Sequence, residues 1–367
     1  MILLTPGPVQ THPDVRAAMD ADVAPWNAGF RPVYERIRRR LLAIGGGVEG
    51  THAALPLQGA GHMLLEAALR TFLPEGGTVL VPVNGEYARR LARLARESGR
   101  EVVELPLPDT RGARADEVAA ALAAHPQATH LALVQSETGS GIVNDPAAIG
   151  AAVRAAGRRM IVDCVSAFGA LPLDLAAMPE VDAACFTSNK CLEGVPGFGF
   201  ALARLDRLAA CEGNARSWSL DLCDVWRHTE ANGWGSLRFT GPVQALLALD
   251  VALERLAAEG GRAARLARYA ASAARLHRGV AALGVRPYLD EAEQGPVVVT
   301  FHQPPGLDFD AFLQALARHG LTISAYWTTE APTFRVGAIG CVGPAEMEGA
   351  IAAIGAALRE LGLARAA

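Results

Sequence analysis

Along the chain, short apolar runs alternate with longer stretches in which apolar residues recur every three or four positions. Thr78 to Val83, Val102 to Leu105, Leu131 to Val134 and Met160 to Asp163 have the length and apolar character of strands. Between them, Glu86 to Ser98, Ala115 to Ala124 and Ala147 to Ala156 carry the helical period. This alternation predicts right-handed βαβ units around a mostly parallel sheet flanked by helices, an α/β architecture. An earlier apolar segment, Ala53 to Leu57, leads through Gln58-Gly59-Ala60-Gly61-His62 into a helix from Met63 to Phe72. Asp182 to Thr187 predicts a further buried strand, and Gly194 to Gly199 a rigid turn. After Glu259-Gly260-Gly261 the pattern changes to a long helix reaching about Leu283, a strand Val297 to Phe301, a helix Asp308 to His319, a strand Phe334 to Ala338 and a last helix. The expected organisation is an N-terminal segment over 1–14, a large domain over 15–255 and a smaller α+β domain over 256–367.

Composition narrows the class. The 367 residues suit two domains, and 51% hydrophobic with 20% charged residues is ordinary globular usage. A formal charge of -4 argues against a nucleic-acid partner, and no apolar run approaches the roughly 18 residues of a membrane span. The expected location is the cytoplasm. Six cysteines lie scattered without a CxxC pair, and nine histidines without an HExxH spacing, so reduced thiols and no metal are expected.

Of the 34 basic residues, 33 are arginine and one is lysine, Lys190, in Thr187-Ser188-Asn189-Lys190-Cys191. A composition that writes arginine wherever charge suffices keeps lysine where an amine is needed, since only an amine can shed its proton and form an imine. Chance survival at a surface site is the competing reading. Lys190 follows a strand end, where α/β sheets place reactive groups, and an amine there suits an aldehyde cofactor such as pyridoxal phosphate.

That cofactor needs a phosphate cradle, a carboxylate for its ring nitrogen and a face for its ring. The turn Gln58 to His62 offers unpaired amides at a helix start, although glycine-rich turns also occur without ligands. Asp163 is a buried-looking carboxylate at a strand end, suited either to capping a turn or to pairing with a protonated ring nitrogen. Tyr87, in Asn84-Gly85-Glu86-Tyr87, is either a half-buried aromatic or a face for the ring. Ser136-Glu137-Thr138-Gly139-Ser140-Gly141 is either a polar loop or a source of hydroxyls at the same sheet edge.

Together these residues resemble the fold-type-I pyridoxal-phosphate enzymes of aminotransferase class V. The resemblance runs from Leu4-Thr5-Pro6-Gly7-Pro8 through Ile161-Val162-Asp163 and Asn189-Lys190-Cys191 to Phe334-Arg335-Val336-Gly337. It implies that Lys190 forms the imine, Asp163 pairs with the ring nitrogen, Tyr87 stacks on the ring and Thr138 contacts its edge. Ala60, Gly61, His62 and Asn189 would hold the phosphate, with Thr240 reaching in from the second subunit of a homodimer whose active sites are shared. Arg335 would bind the acid group of an amino donor and of a 2-oxo acid acceptor; without the resemblance, a surface ion pair is its default role. Residues 194–198, 216–222 and 238–242 are similar to family members that use 2-aminoethylphosphonate and pyruvate, with alanine:glyoxylate or serine:pyruvate exchange as the alternative. Two departures stand out: Ala60 and His62 replace the usual Ser or Thr, and Trp26-Asn27-Ala28-Gly29-Phe30 replaces a Trp followed by acidic residues and a Tyr.

Overall fold

The computed structural model describes residues 1–363 of the chain; the last four residues of the expected small domain lie outside the described residues. Seven strands form one sheet in the order His52–Gln58, Phe198–Arg204, Val181–Thr187, Arg159–Asp163, Ala128–Val134, Thr78–Val83, Glu101–Pro106. Neighbours run parallel except at Phe198–Arg204, which is antiparallel to the strand on either side. Two reversals cancel, so His52–Gln58 points the same way as the remaining strands. Gln58, Val83, Val134, Asp163 and Thr187 therefore end at one edge of the sheet.

The strands are apolar on both sides because helices cover both faces. Leu80, Leu131, Leu133, Val162, Phe186 and Phe200 face one core, with Ile37, Leu41, Leu122, Val153 and Leu249 packed from the helical side. Their neighbours Val79, Val81, Ala132, Ile161, Ala183 and Ala201 face the other, against Leu64, Ala68, Phe72, Leu91 and Ala95. The period-two alternation within each strand thus divides residues between two cores. A third core gathers Leu4, Leu276, Phe301, Phe312, Phe334, Val336 and Ile354. Its framework is the antiparallel pair Val298–His302 and Thr333–Gly337, and the N-terminal Ile2–Leu3 pairs in parallel with Leu321–Thr322 beside it.

The predicted strands and helices of the sheet region appear within a few residues of their expected ends. One reading differs: Phe198 and Gly199 open a strand instead of closing a turn. Glycine is required there for packing. A Cβ on Gly199 would fall onto the Leu64 side chain and within 2.9 Å of the Phe186 carbonyl, so its absence lets the helix Gly61–Phe72 lie close on the sheet. That helix presents its first turn to the sheet edge.

Gly199→Val should force Leu64 and its helix away from the sheet. Overpacking of this kind costs about 1 to 3 kcal/mol, so the expected result is a lower melting temperature together with weaker cofactor binding. An unchanged melting temperature would contradict the close packing assigned to Gly199.

Candidate active site

The shared strand edge places Ala60, Gly61, His62, Tyr87, Asp163, Asn189 and Lys190 around one cavity of about 360 Å³. These residues come from four separate strand ends, and the sheet topology brings them together.

At one end lies the first turn of the helix Gly61–Phe72. Its N-cap, Ala60, offers no side-chain hydrogen bond, so the leading amides have no capping partner from that residue. Gly59 has φ +121°, a conformation that favours glycine, and a Cβ on Gly61 would come within 2.7 Å of Val165. The turn is a concave backbone surface with amides at a helix N-terminus, which suits a phosphate whether or not hydroxyls are present at 60 and 62.

Asp163, the last residue of its strand and buried, also lines the cavity. Its Oδ1 accepts a hydrogen bond from the Val165 amide at 2.8 Å. Burial pushes its carboxyl up to about 6, against the pull of that amide and of Lys190. It still ionises below neutrality and can pair with a protonated ring nitrogen. Tyr87 lines the cavity with the Arg90 guanidinium 4.9 Å from its ring centroid.

Lys190 donates from Nζ to the Pro6 carbonyl at 2.8 Å. Burial lowers its ammonium to about 8, with Arg335 acting in the same direction and Cys191 and Asp163 opposing. The N-terminal segment makes room for this side chain at Gly7, where φ is +137° and a Cβ would stand 2.5 Å from Cε and Nζ. Behind the lysine, Glu193 adopts φ 60°, unusual for a residue with a side chain and costing on the order of 1 to 3 kcal/mol. Its carboxylate is tied down by the Tyr269 hydroxyl at 2.6 Å and Arg268 at 2.7 Å, while Arg265 donates to the Cys191 carbonyl at 2.7 Å. This network fixes the loop that carries Lys190.

Thr138 and Arg335 are buried beside the cavity without lining it. Arg335 donates to the Thr138 carbonyl at 2.6 Å and lies 5.2 Å from the Tyr326 ring centroid. The expectation of a surface ion pair does not hold: Arg335 is 0% exposed, its Nε has no hydrogen-bond partner, and no carboxylate among the described residues pairs with it. Thr240 stands apart, exposed in a neighbouring groove, its carbonyl accepting from Gln58 Nε2 at 2.8 Å. Sequence reasoning assigned no role to Pro6, Gly7 or Glu193. The rigid run Thr5 to Pro8 is visible in the sequence, but nothing local ties it to residue 190.

A pyridoxal-phosphate site needs this set of parts: a reactive lysine, a buried carboxylate, an aromatic wall and an amide cradle. The family model for class-V aminotransferases matches residues 48–340. The chain belongs to the class-V aminotransferases, which work with pyridoxal phosphate, and the residues present fit that cofactor. It is 44% identical to 2-aminoethylphosphonate–pyruvate transaminase 2 of Burkholderia lata over 99% of this chain and 96% of that protein. Among solved structures it resembles pyridoxamine-pyruvate aminotransferase from Mesorhizobium loti, at 27% identity and TM-score 0.90, covering 99% of this chain and 93% of that one. Alanine–glyoxylate aminotransferase from Nostoc sp. is similar at 25% identity and TM-score 0.89, covering 98% and 95%.

In the cofactor-free protein, amine acylation of Lys190, followed by peptide mass, should inflect near pH 8. The reading is unambiguous because no other lysine competes. An inflection near the ordinary lysine value of about 10.4 would show that burial does not depress this amine.

Proposed function

We propose that the protein is a homodimeric, cytoplasmic transaminase of phosphonate catabolism that passes the amino group of 2-aminoethylphosphonate to pyruvate, giving phosphonoacetaldehyde and alanine. The observation that carries the reading is Arg335. A buried guanidinium without a carboxylate is costly until an anion completes it, and both reactants bring one, a phosphonate and then a carboxylate. The full-length likeness to the Burkholderia lata transaminase favours the phosphonate donor over alanine or serine.

Pyridoxal phosphate, held by Lys190, Asp163, Tyr87, Thr138, Asn189 and the turn 60–62, supplies an aldehyde and a ring that withdraws electrons from the reacting carbon. Lys190 yields its place to the amine of the donor. Its freed Nζ then takes the proton from the donor carbon that bears nitrogen and returns it, as general base and then general acid. Asp163 keeps a negative charge opposite that reaction through neutral pH. Arg335 orients each substrate in turn by its acid group.

Sharing of sites between subunits is supported by the surface around Thr240. Trp218 is 70% exposed and meets Phe239 edge to face at 5.1 Å, an apolar patch that a second copy would cover while Thr240 reaches the partner's phosphate. Separate cores support the division into large and small domains. The cytoplasmic assignment fits the six free cysteines, and no helix among the described residues is long and apolar enough to cross a membrane.

The deciding experiment is single-turnover bleaching of the bound cofactor by 2-aminoethylphosphonate, alanine and serine at equal concentration. The phosphonate donor should react fastest; a far faster reaction with alanine or serine would assign the alternative activity. Arg335→Lys keeps the charge but loses the planar fork, so both half-reactions should weaken together by about 1 to 3 kcal/mol, roughly ten- to a hundredfold in kcat/KM. For the dimer, mixing inactive Lys190→Arg and Thr240→Ala chains should restore part of the activity through hybrid sites. A fully active monomer in sedimentation would rule out shared sites.

A further inference from the structure

One buried carboxylate near the site has no part in the reading above. Glu137 follows the strand Ala128–Val134 by three residues and is 0% exposed. Oε2 accepts from the Tyr87 amide at 2.9 Å and the Ala88 amide at 3.3 Å, and Oε1 accepts from the Gly139 amide at 2.9 Å. The first two amides belong to the opening turn of the helix Glu86–Glu97, whose own N-cap, Gly85, has no side chain to supply. Glu137 caps that helix from a distance of fifty residues in sequence.

The two elements it joins carry different parts of the site. The helix start holds Tyr87 against the cavity, and the turn after Glu137 holds Thr138, whose carbonyl receives Arg335. The turn is pressed from its other side as well, since a Cβ on Gly139 would meet Glu137 Oε1 and Thr328 Oγ1, each at 2.9 Å. We propose that Glu137 is a positioning residue that sets Tyr87, Thr138 and Arg335 relative to one another, so that the ring face, the ring edge and the substrate anion share one register.

The chemistry favours a carboxylate at this place. Three converging N–H groups ask for acceptor-only oxygens, and the charged form is worth more to them than a neutral amide. Burial pushes this carboxyl up to about 7, against the pull of the three amides, and the charge of Asp163 adds to the rise. Glutamine would keep one acceptor and turn an NH2 towards the remaining N–H donors. Gly85 makes the approach possible: its φ of 166° is extended backbone open to any residue, yet a Cβ there would collide with the Glu137 carboxyl group, at 2.5 Å from Oε2.

The inference rests on the assignment of the cavity to pyridoxal phosphate, and the test separates the two. Cofactor-free parent, Glu137→Gln and Gly85→Ala are titrated with pyridoxal phosphate while the visible circular dichroism of the bound cofactor is followed. KM and kcat are then measured for the amino donor. Removing the charge-assisted acceptor in Glu137→Gln, or displacing it in Gly85→Ala, should raise the cofactor dissociation constant about tenfold or more. The induced dichroism should shrink, and donor KM should rise because Arg335 moves with Thr138. Were Glu137 a stability element alone, the folded variants would melt earlier but bind cofactor with the parent's affinity and dichroism. That result overturns the proposal. If Glu137→Gln does not fold, Gly85→Ala decides, because it retains the carboxylate and only displaces it. Failure of the parent itself to bind pyridoxal phosphate would overturn the cavity assignment and this inference with it.

Discussion

A lysine can bond a carbonyl carbon only after its ammonium gives up a proton, and burial of Lys190 brings that step close to neutral pH. The surrounding structure follows from this requirement. A half-buried amine needs an acceptor, which the Pro6 carbonyl provides, and a neighbour without a side chain, which Gly7 provides. It also needs a loop that does not relax towards solvent. Glu193 holds that loop in a left-handed turn against Tyr269 and Arg268, both on the helix Gly261–Ala282. Lys190 therefore lies in the loop just past a sheet strand, while its acceptor comes from the N-terminal segment and its loop's anchors from the helix Gly261–Ala282.

Other interior charges are met largely by the fold itself. Asp182, at the far edge of the sheet, receives His130, Arg159 and Arg207; burial pushes its carboxyl up, but these partners outweigh burial and hold it below the ordinary range. Arg100 donates to four backbone carbonyls. Arg335 has fewer partners, the Thr138 carbonyl and the Thr328 hydroxyl, and its Nε has none.

The sheet was largely legible in the sequence because its strands and helices announce themselves locally, through short apolar runs such as Thr78 to Val83 and the helical period in Ala115 to Ala124. Lys190 and Asp163, which line one cavity, were singled out in the sequence, one by its rarity and the other by its place at the end of an apolar run. What escaped depends on contacts across the chain. The strand beginning at Phe198 hides in a run of glycine and proline, and its direction is fixed by partners far away in sequence. Glu137 reads as one polar residue in a polar loop until its carboxylate is seen against the amides of Tyr87 and Ala88. Burial of Arg335 is likewise set by packing, and a buried arginine has the same local pattern as an exposed one.

The turn at residues 59 to 61 has a consequence for how such a protein varies through evolution. Its suitability for a phosphate lies in main-chain amides and in the bend that glycine allows, so the contact does not depend on which side chains stand at 60 and 62. A lineage can exchange hydroxyls there for alanine and histidine and keep its anion cradle. What the turn offers an anion is therefore written in backbone shape, and the letters at 60 and 62 are free to differ without altering it.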